Sequence, residues 1–134
     1  MSHFTKTDLP IQMKDREVII KAAQKLGCAV LENAIARGWA GQEHSGELVL
    51  RHPESPYDVA LNRNKEGAYE PTADLYQGHV ARIFGTSREN PYGKLIARYG
   101  AEKAKKLARV LGYAVHETVD PRTGTITQKV VIPT

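Results

Sequence analysis

The chain has 134 residues, of which 41% are hydrophobic and 25% charged, with a net charge of +4 and one cysteine. Such a chain is long enough to bury an ordinary core and too apolar to be a disordered tail, so residues 1–134 read as one domain. A single thiol excludes a disulfide framework and any multi-cysteine metal site, while the mild basic excess favours anionic partners.

In chain order, residues 3–13 read as a short strand broken near Pro10, as at a sheet edge. Asp15 suits a helix N-cap, and the helix after it sets Val18, Ile19, Ala22, Ala23 and Leu26 on one side before Gly27, in the place of a left-handed cap. A strand over 28–35 leads into the loop ARGWAGQEHSG, and a second over 47–52 is stopped by Pro53 and Pro56. Residues 57–74 form a β-hairpin whose register follows from its apolar residues. A loop of Lys65, Glu66 and a left-handed Gly67 puts Tyr57, Val59, Leu61 and Arg63 on one face with Tyr69, Pro71, Ala73 and Leu75. Asp58, Ala60, Asn62, Glu70, Thr72 and Asp74 take the other face, with Asp58 opposite Asp74; a slip by one residue would scatter the apolar set. Residues 76–93 are a connector with a helical turn around 80–84. A helix over 94–111 follows, with Leu95, Tyr99, Leu107, Ala108 and Leu111 inward and Gly112 as its cap. The closing hairpin pairs 113–119 with 125–132 across the turn 120–124.

Residues 21–33 and 106–118 align without gaps, with seven of thirteen positions identical. Each is a helix end, a glycine and the strand it launches. The recurrence points to an α+β fold with a ferredoxin-like pseudo-repeat, in which the strands share an antiparallel sheet and two main helices cover one face.

The residues Met1-Ser2-His3-Phe4, Lys25-Leu26-Gly27 and Arg37-Gly38-Trp39-Ala40-Gly41-Gln42 carry a likeness to a known family. So do Tyr57-Asp58-Val59, Gly67-Ala68-Tyr69, Ala73-Asp74, Arg98-Tyr99 and Leu111-Gly112-Tyr113. Over nearly its whole length the chain resembles the family named after hypothetical chloroplast open reading frame thirty-five, found in plastids, cyanobacteria and other bacteria. That family is of unknown function, so the resemblance bears on the fold and brings no catalytic residue.

Three places offer chemistry. The loop from Arg37 to Gly46 has three glycines whose amides can converge on an anion. Arg37 and Arg51 suit a phosphate, Gln42 adds a polar contact, and Trp39 offers a platform for a base. The same loop also fits a plain surface turn with Trp39 packed in the core. Basic residues of the latter half, Arg82 and Arg98 among them, stand near Tyr76, Phe84, Tyr92 and Tyr99; on the second helix Lys94, Arg98, Lys105 and Arg109 form a positive stripe. The bland alternative is a solvated helix face. Finally, Asp58 and Asp74 suit a hard cation, or a transition metal if His44, His52 or His79 approaches, and equally suit an ordinary strand face paired with Lys or Arg. Cys28, just after a helix C-terminus in an apolar strand, reads as core.

The reading is a small non-enzymatic binding protein for an anionic ligand, a nucleotide or nucleic acid, in one variant sequestering a nucleotide second messenger. Arg37, Trp39, Gln42, Arg51, Arg63, Arg82 and Arg98 are its expected ligand-binding residues, with no catalytic residue, metal ligand or cofactor assigned. A homo-oligomer in the cytoplasm is expected, with no membrane partner, because no leader core or run of transmembrane length is present. The alternatives are a metal-dependent enzyme using Asp58 and Asp74 and an adaptor that docks through Trp39. On the first reading, Arg37→Glu abolishes anion binding and leaves the melting temperature nearly unchanged.

Overall fold

Alternating apolar residues in the middle of the chain build a meander. In the computed structural model, which describes residues 3–134, β2 (Ala29–Arg37), β3 (Glu43–Arg51), β4 (Val59–Arg63) and β5 (Tyr69–Asp74) are successive antiparallel neighbours. A short β1 (Phe4–Lys6) joins beside β5, giving the order β1-β5-β4-β3-β2. Met1 and Ser2 of the opening tetrapeptide lie outside the described residues. The hairpin register is the one the apolar pattern demands: Val59 pairs with Ala73, Leu61 with Pro71 and Arg63 with Tyr69, and Gly67 has φ +83° in the loop. Pro71 accounts for the brevity of β1. It has no N–H to give, so pairing stops at Lys6–Thr72, Thr7 N–H reaches the Pro71 carbonyl, and contact resumes only at Met13–Tyr69.

The helices α1 (Arg16–Lys25), α2 (His79–Phe84) and α3 (Gly93–Val110) share one core with the sheet. Val18, Ile19, Ala22 and Ala23, then Val80 and Phe84, then Leu95 and Tyr99 are buried together with Leu48, Leu50, Val59, Leu61, Tyr69 and Ala73. The fold is thus α+β, with two main helices over one sheet face. Asp15 caps α1, its Oδ1 accepting from Val18 N–H at 3.3 Å. A stripe of α3 grips that cap: the Tyr99 hydroxyl accepts from Asp15 N–H at 3.2 Å, and Lys103 and Lys106 place Nζ 3.0 and 2.8 Å from Oδ2. The Lys106 hydrogen bond, joined by that of Lys103 and opposed by burial, lowers the Asp15 pKa to about 2.

The internal repeat is a shared helix ending. Cys28 N–H bonds the Ala23 carbonyl and Gly27 N–H that of Gln24, while Tyr113 and Gly112 do the same to Ala108 and Arg109. Gly27 and Gly112, at φ +90° and +76°, are the left-handed residues of two Schellman caps. The strands they launch part ways. β2 enters the main sheet, but β6 (Ala114–Val119) pairs only with β7 (Ile126–Val131), as a separate ribbon. The expectation that 113–119 and 125–132 belong to the main sheet is corrected accordingly. The reason is polar: the ribbon is drawn along α3 by Arg98 Nη1, 2.9 Å from Glu117, and by the Gln128 amide, which donates to the Ala101 carbonyl at 2.9 Å. Leu107 and Leu111, expected inward, are 54% and 63% exposed, while Ala108 of the same turn is buried as expected, so the last turn of α3 is covered on one side alone.

Two glycines predict opposite outcomes. A Cβ on Gly85, at the end of α2, would lie 2.6 Å from the Asn90 carbonyl oxygen and 2.8 Å from backbone atoms of Ala81 and Pro91, none of which can turn aside. Gly85→Ala is expected to cost about 1–3 kcal/mol. Gly100, inside α3, has nothing within 4 Å of that position, and Gly100→Ala is expected to stabilise by about 0.5–1 kcal/mol. Urea midpoints of the two variants moving in the same direction would refute this account.

Candidate functional site

The β2–β3 hairpin supplies the site by bending across the second face of the sheet. β3 pairs with β4 only from Leu48 to Leu50, and side chains then replace the ladder. Glu47 N–H donates to Asn62 Oδ1 and the Asn62 amide donates to the Ser45 carbonyl, each at 3.0 Å. On β2 the bend falls at Asn33, with φ +47°. On β3 it falls at Gly46, where a Cβ would stand 2.7 Å from the Leu48 carbonyl oxygen and 3.0 Å from Ala60 Cβ. The folded-over half encloses a second apolar cluster of Ala36, Val49 and Ala60, flanked by Phe4, Leu31 and Ala34. Its tip then meets the β4–β5 hairpin where Asp58 and Asp74 stand.

Both carboxylates are fully buried. Asp58 accepts from Arg37 three times, from the backbone N–H at 3.0 Å and from Nε and Nη2 at 2.9 Å. Arg51 adds Nη2 at 2.9 Å, with Nε at 3.2 Å from both oxygens. Burial alone would raise the Asp58 pKa, but the hydrogen bonds from Arg37 and Arg51 outweigh it and hold the carboxyl below its ordinary range. Asp74 accepts from Trp39 N–H at 2.8 Å and from Tyr76 N–H at 3.0 Å. The pair opposed in the hairpin register therefore clamps the tip of its neighbour.

The glycine-rich loop is a tight turn and not an anion cradle. Gln42 N–H donates to the Trp39 carbonyl and Gly38 N–H to the Gln42 carbonyl, so with Trp39 N–H on Asp74 three of its amides are used internally. Ala40 and Gly41 have φ +54° and +75°, the backbone of a type I′ turn. Gly38 is needed for close approach, since a Cβ there would lie 2.8 Å from the Phe4 ring. The tip thereby presents its aromatic outward. Trp39 is 43% exposed and lies edge-on to the half-exposed Tyr76, ring centroids 6.2 Å apart. Unliganded Trp39 is expected to emit at long wavelength and to be quenched by acrylamide; a blue-shifted, protected emission would place it in a core.

The other expected contacts are dispersed. Arg63 lies 2.8 Å from Glu47 and over the Tyr69 ring, and Arg82 donates to the Glu54 carbonyl. Arg98 is buried, bound to Glu102 at 3.1 Å as well as to Glu117. Lys105 bridges the same two glutamates at 2.7 and 3.3 Å. Half of the positive stripe on α3 is thus neutralised, leaving Lys94 and Arg109 without an ion pair among the described residues. Arg37 and Arg51 come together on Asp58, with Trp39 and Gln42 in the turn that follows Arg37; Arg63, Arg82 and Arg98 do not join them. Tyr76, read from the sequence only as an aromatic near the basic helix, belongs to the tip. Its signal was its place two residues after Asp74, where a buried Asp side chain accepts from the following turn. Among the described residues no group of three or more His, Cys, Asp or Glu side chains converges to hold a metal. Cys28 is buried, and that burial raises its pKa to about 12. No described helix is long and apolar enough to cross a membrane.

Fold and site together define a small α+β protein with a clamped, aromatic-tipped hairpin. The chain belongs to the family described as protein of unknown function DUF1257, which it matches over residues 22–128. No curated protein and no solved structure matches it.

Proposed function

We propose that the protein is a non-enzymatic binder of an anionic, base-bearing ligand, a nucleotide or short single strand, held at Arg37, Arg51, Trp39 and Tyr76. The observation that supports it is the pairing of two guanidiniums with a single carboxylate, which leaves one positive charge at the foot of the turn whose Trp39 faces outward against Tyr76. The Arg37 side chain is 48% exposed, so its remaining N–H donors can meet a phosphate while a base stacks on Trp39. Stacking of this kind contributes about 1–3 kcal/mol per base. The metal-dependent alternative is disfavoured, because both carboxylates it needs are spent on arginines and backbone amides. Sequestration of a nucleotide second messenger, a place in the plastid and cyanobacterial open-reading-frame family, and a cytoplasmic location belong to the same reading. So does homo-oligomer formation, supported by the exposed Leu107, Val110 and Leu111.

Arg37→Glu is a poor test, because it would set a second carboxylate against buried Asp58. The informative experiment titrates mononucleotides and a short oligonucleotide against Trp39 emission, with Tyr76→Ala and Arg37→Gln beside the native protein. Saturable quenching weakened by both substitutions is expected, and which of the two ligands binds tighter separates nucleotide from strand. Emission that stays unchanged with both ligands would end this reading.

A further inference from the structure

A groove of about 840 Å³ lies between the first half of α3 and the tip of the β6–β7 ribbon, remote in sequence from the hairpin tip. Its shape follows from where the ribbon is fastened. Arg98 with Glu117, and Gln128 with the Ala101 carbonyl, tie the middle of the ribbon to α3. Beyond that tie, Val119 and Ile126 on the ribbon share the groove with α3 residues that include Gly93, Ala97 and Gly100, whose small size leaves the space between unfilled. Val119 accordingly stays 47% exposed.

The chemistry of the walls is uneven. No aspartate or glutamate lines the groove, whereas Lys25 enters from the end of α1 and Lys94 from the first turn of α3. Neither lysine has a carboxylate within 4.0 Å among the described residues, although Lys25 is near enough to Glu102 to help lower its pKa; Arg98 and Lys105, which reach the ribbon, are both paired. Thr86, Thr123 and Thr125 supply hydroxyls at the same end, with Thr125 N–H and the Thr123 and Thr125 hydroxyls already arranged by mutual hydrogen bonds. An apolar wall, two ammonium groups outside ion-pair distance of any described carboxylate and a set of hydroxyls suit one kind of ligand. We propose that this groove is a second binding site, for a small phosphomonoester with a flat apolar body: the body against Val119, Ile126 and Ala97, the phosphate between Lys25 and Lys94 with the Thr86 and Thr125 hydroxyls donating to it.

The site is independent of the hairpin tip, and so is its test. Phenyl phosphate is titrated into the full chain and followed by backbone amide NMR shifts, with inorganic phosphate and phenol as the separated halves. The expected result is saturable movement of the Lys94, Val119 and Thr123–Ile126 amides, with each half binding more weakly than the whole. Lys94→Glu should weaken binding at least about tenfold, with the remaining spectrum unchanged because Lys94 makes no ion pair to lose. Trp39→Ala should leave the titration as it was, which separates this site from the proposed one at the tip. Movement confined to the hairpin tip, no saturation, or equal binding of inorganic phosphate by native protein and Lys94→Glu, meaning an adventitious ion only, would each overturn the proposal.

Discussion

Asp58→Ala is expected to remove about 2–3 kcal/mol of stability, the scale for losing hydrogen bonds to a charged group, because the arginines left behind keep access to water. Two guanidiniums and the Arg37 N–H lose their acceptor together, and the folded-over half of the β2–β3 hairpin loses one of its two clamps. Asp58→Asn, which keeps shape and one acceptor oxygen, should cost less. The wild-type protein also carries a pH signature. The carboxyl is held below its ordinary 3.8 in the folded state. Its contribution is therefore complete above that unfolded value and is lost as the pH falls through the lower folded one. Urea midpoints measured from neutral pH to below pH 4 should fall for the native chain and fall less for Asp58→Ala. Equal slopes would mean that the apolar cluster of Ala36, Val49 and Ala60 holds the hairpin without help from the ion pairs.

Arg98→Ala is expected to cost about 3 kcal/mol, but to spend most of it locally. Arg98 is buried beside Glu102 and Glu117, and its removal leaves both glutamates to Lys105. Burial pushes the Glu117 carboxyl up, while hydrogen bonds from Arg98, Gln128 and Lys105 override it and lower the pKa to about 2. Because the folded value lies below the unfolded one, this tie too is intact above the ordinary carboxylate range and is lost as pH falls toward about 2. Hydrogen exchange reads the outcome directly: in Arg98→Ala, protection should fall over Ala114–Val119 and Ile126–Val131 well before it falls in β3 and β4. An even loss across the molecule would instead make the ribbon part of one cooperative core.

What could be read from the chain follows the range of the interactions concerned. The 57–74 register was legible because one slip exposes Val59, Leu61 and Ala73 together, and the two Schellman caps were legible because only glycine suits their left-handed residue. The bend at Asn33 and Gly46 was not, since its cause is an encounter with Ala60 from another strand. The same holds for the arginines. Arg37, Arg51 and Arg98 announce positive charge in the sequence, but whether that charge is free depends on Asp58, Glu102 and Glu117 arriving from elsewhere in the fold. The glycines of the 37–46 loop misled for a related reason: the backbone freedom was real, and it serves a turn and a close approach, where an anion site was expected. The ribbon was placed in the wrong sheet because the ties that fasten it to α3, Arg98 to Glu117 and Gln128 to the Ala101 carbonyl, are polar contacts that its apolar alternation does not reveal.

The order of strands in the main sheet has a bearing on how the chain finds its fold. β2 to β5 are each neighbour to the next in sequence, so their pairing closes only short loops. β1 reaches across nearly the whole intervening chain to set Phe4 against Asp74, an entropically costly closure that is rewarded by three residue pairs. The meander should therefore form first, with β1 docking after the rate-limiting barrier. Changes at Phe4 or Thr5 are then felt as faster unfolding at an almost unaltered folding rate, whereas changes at Leu48 or Leu61 slow folding itself.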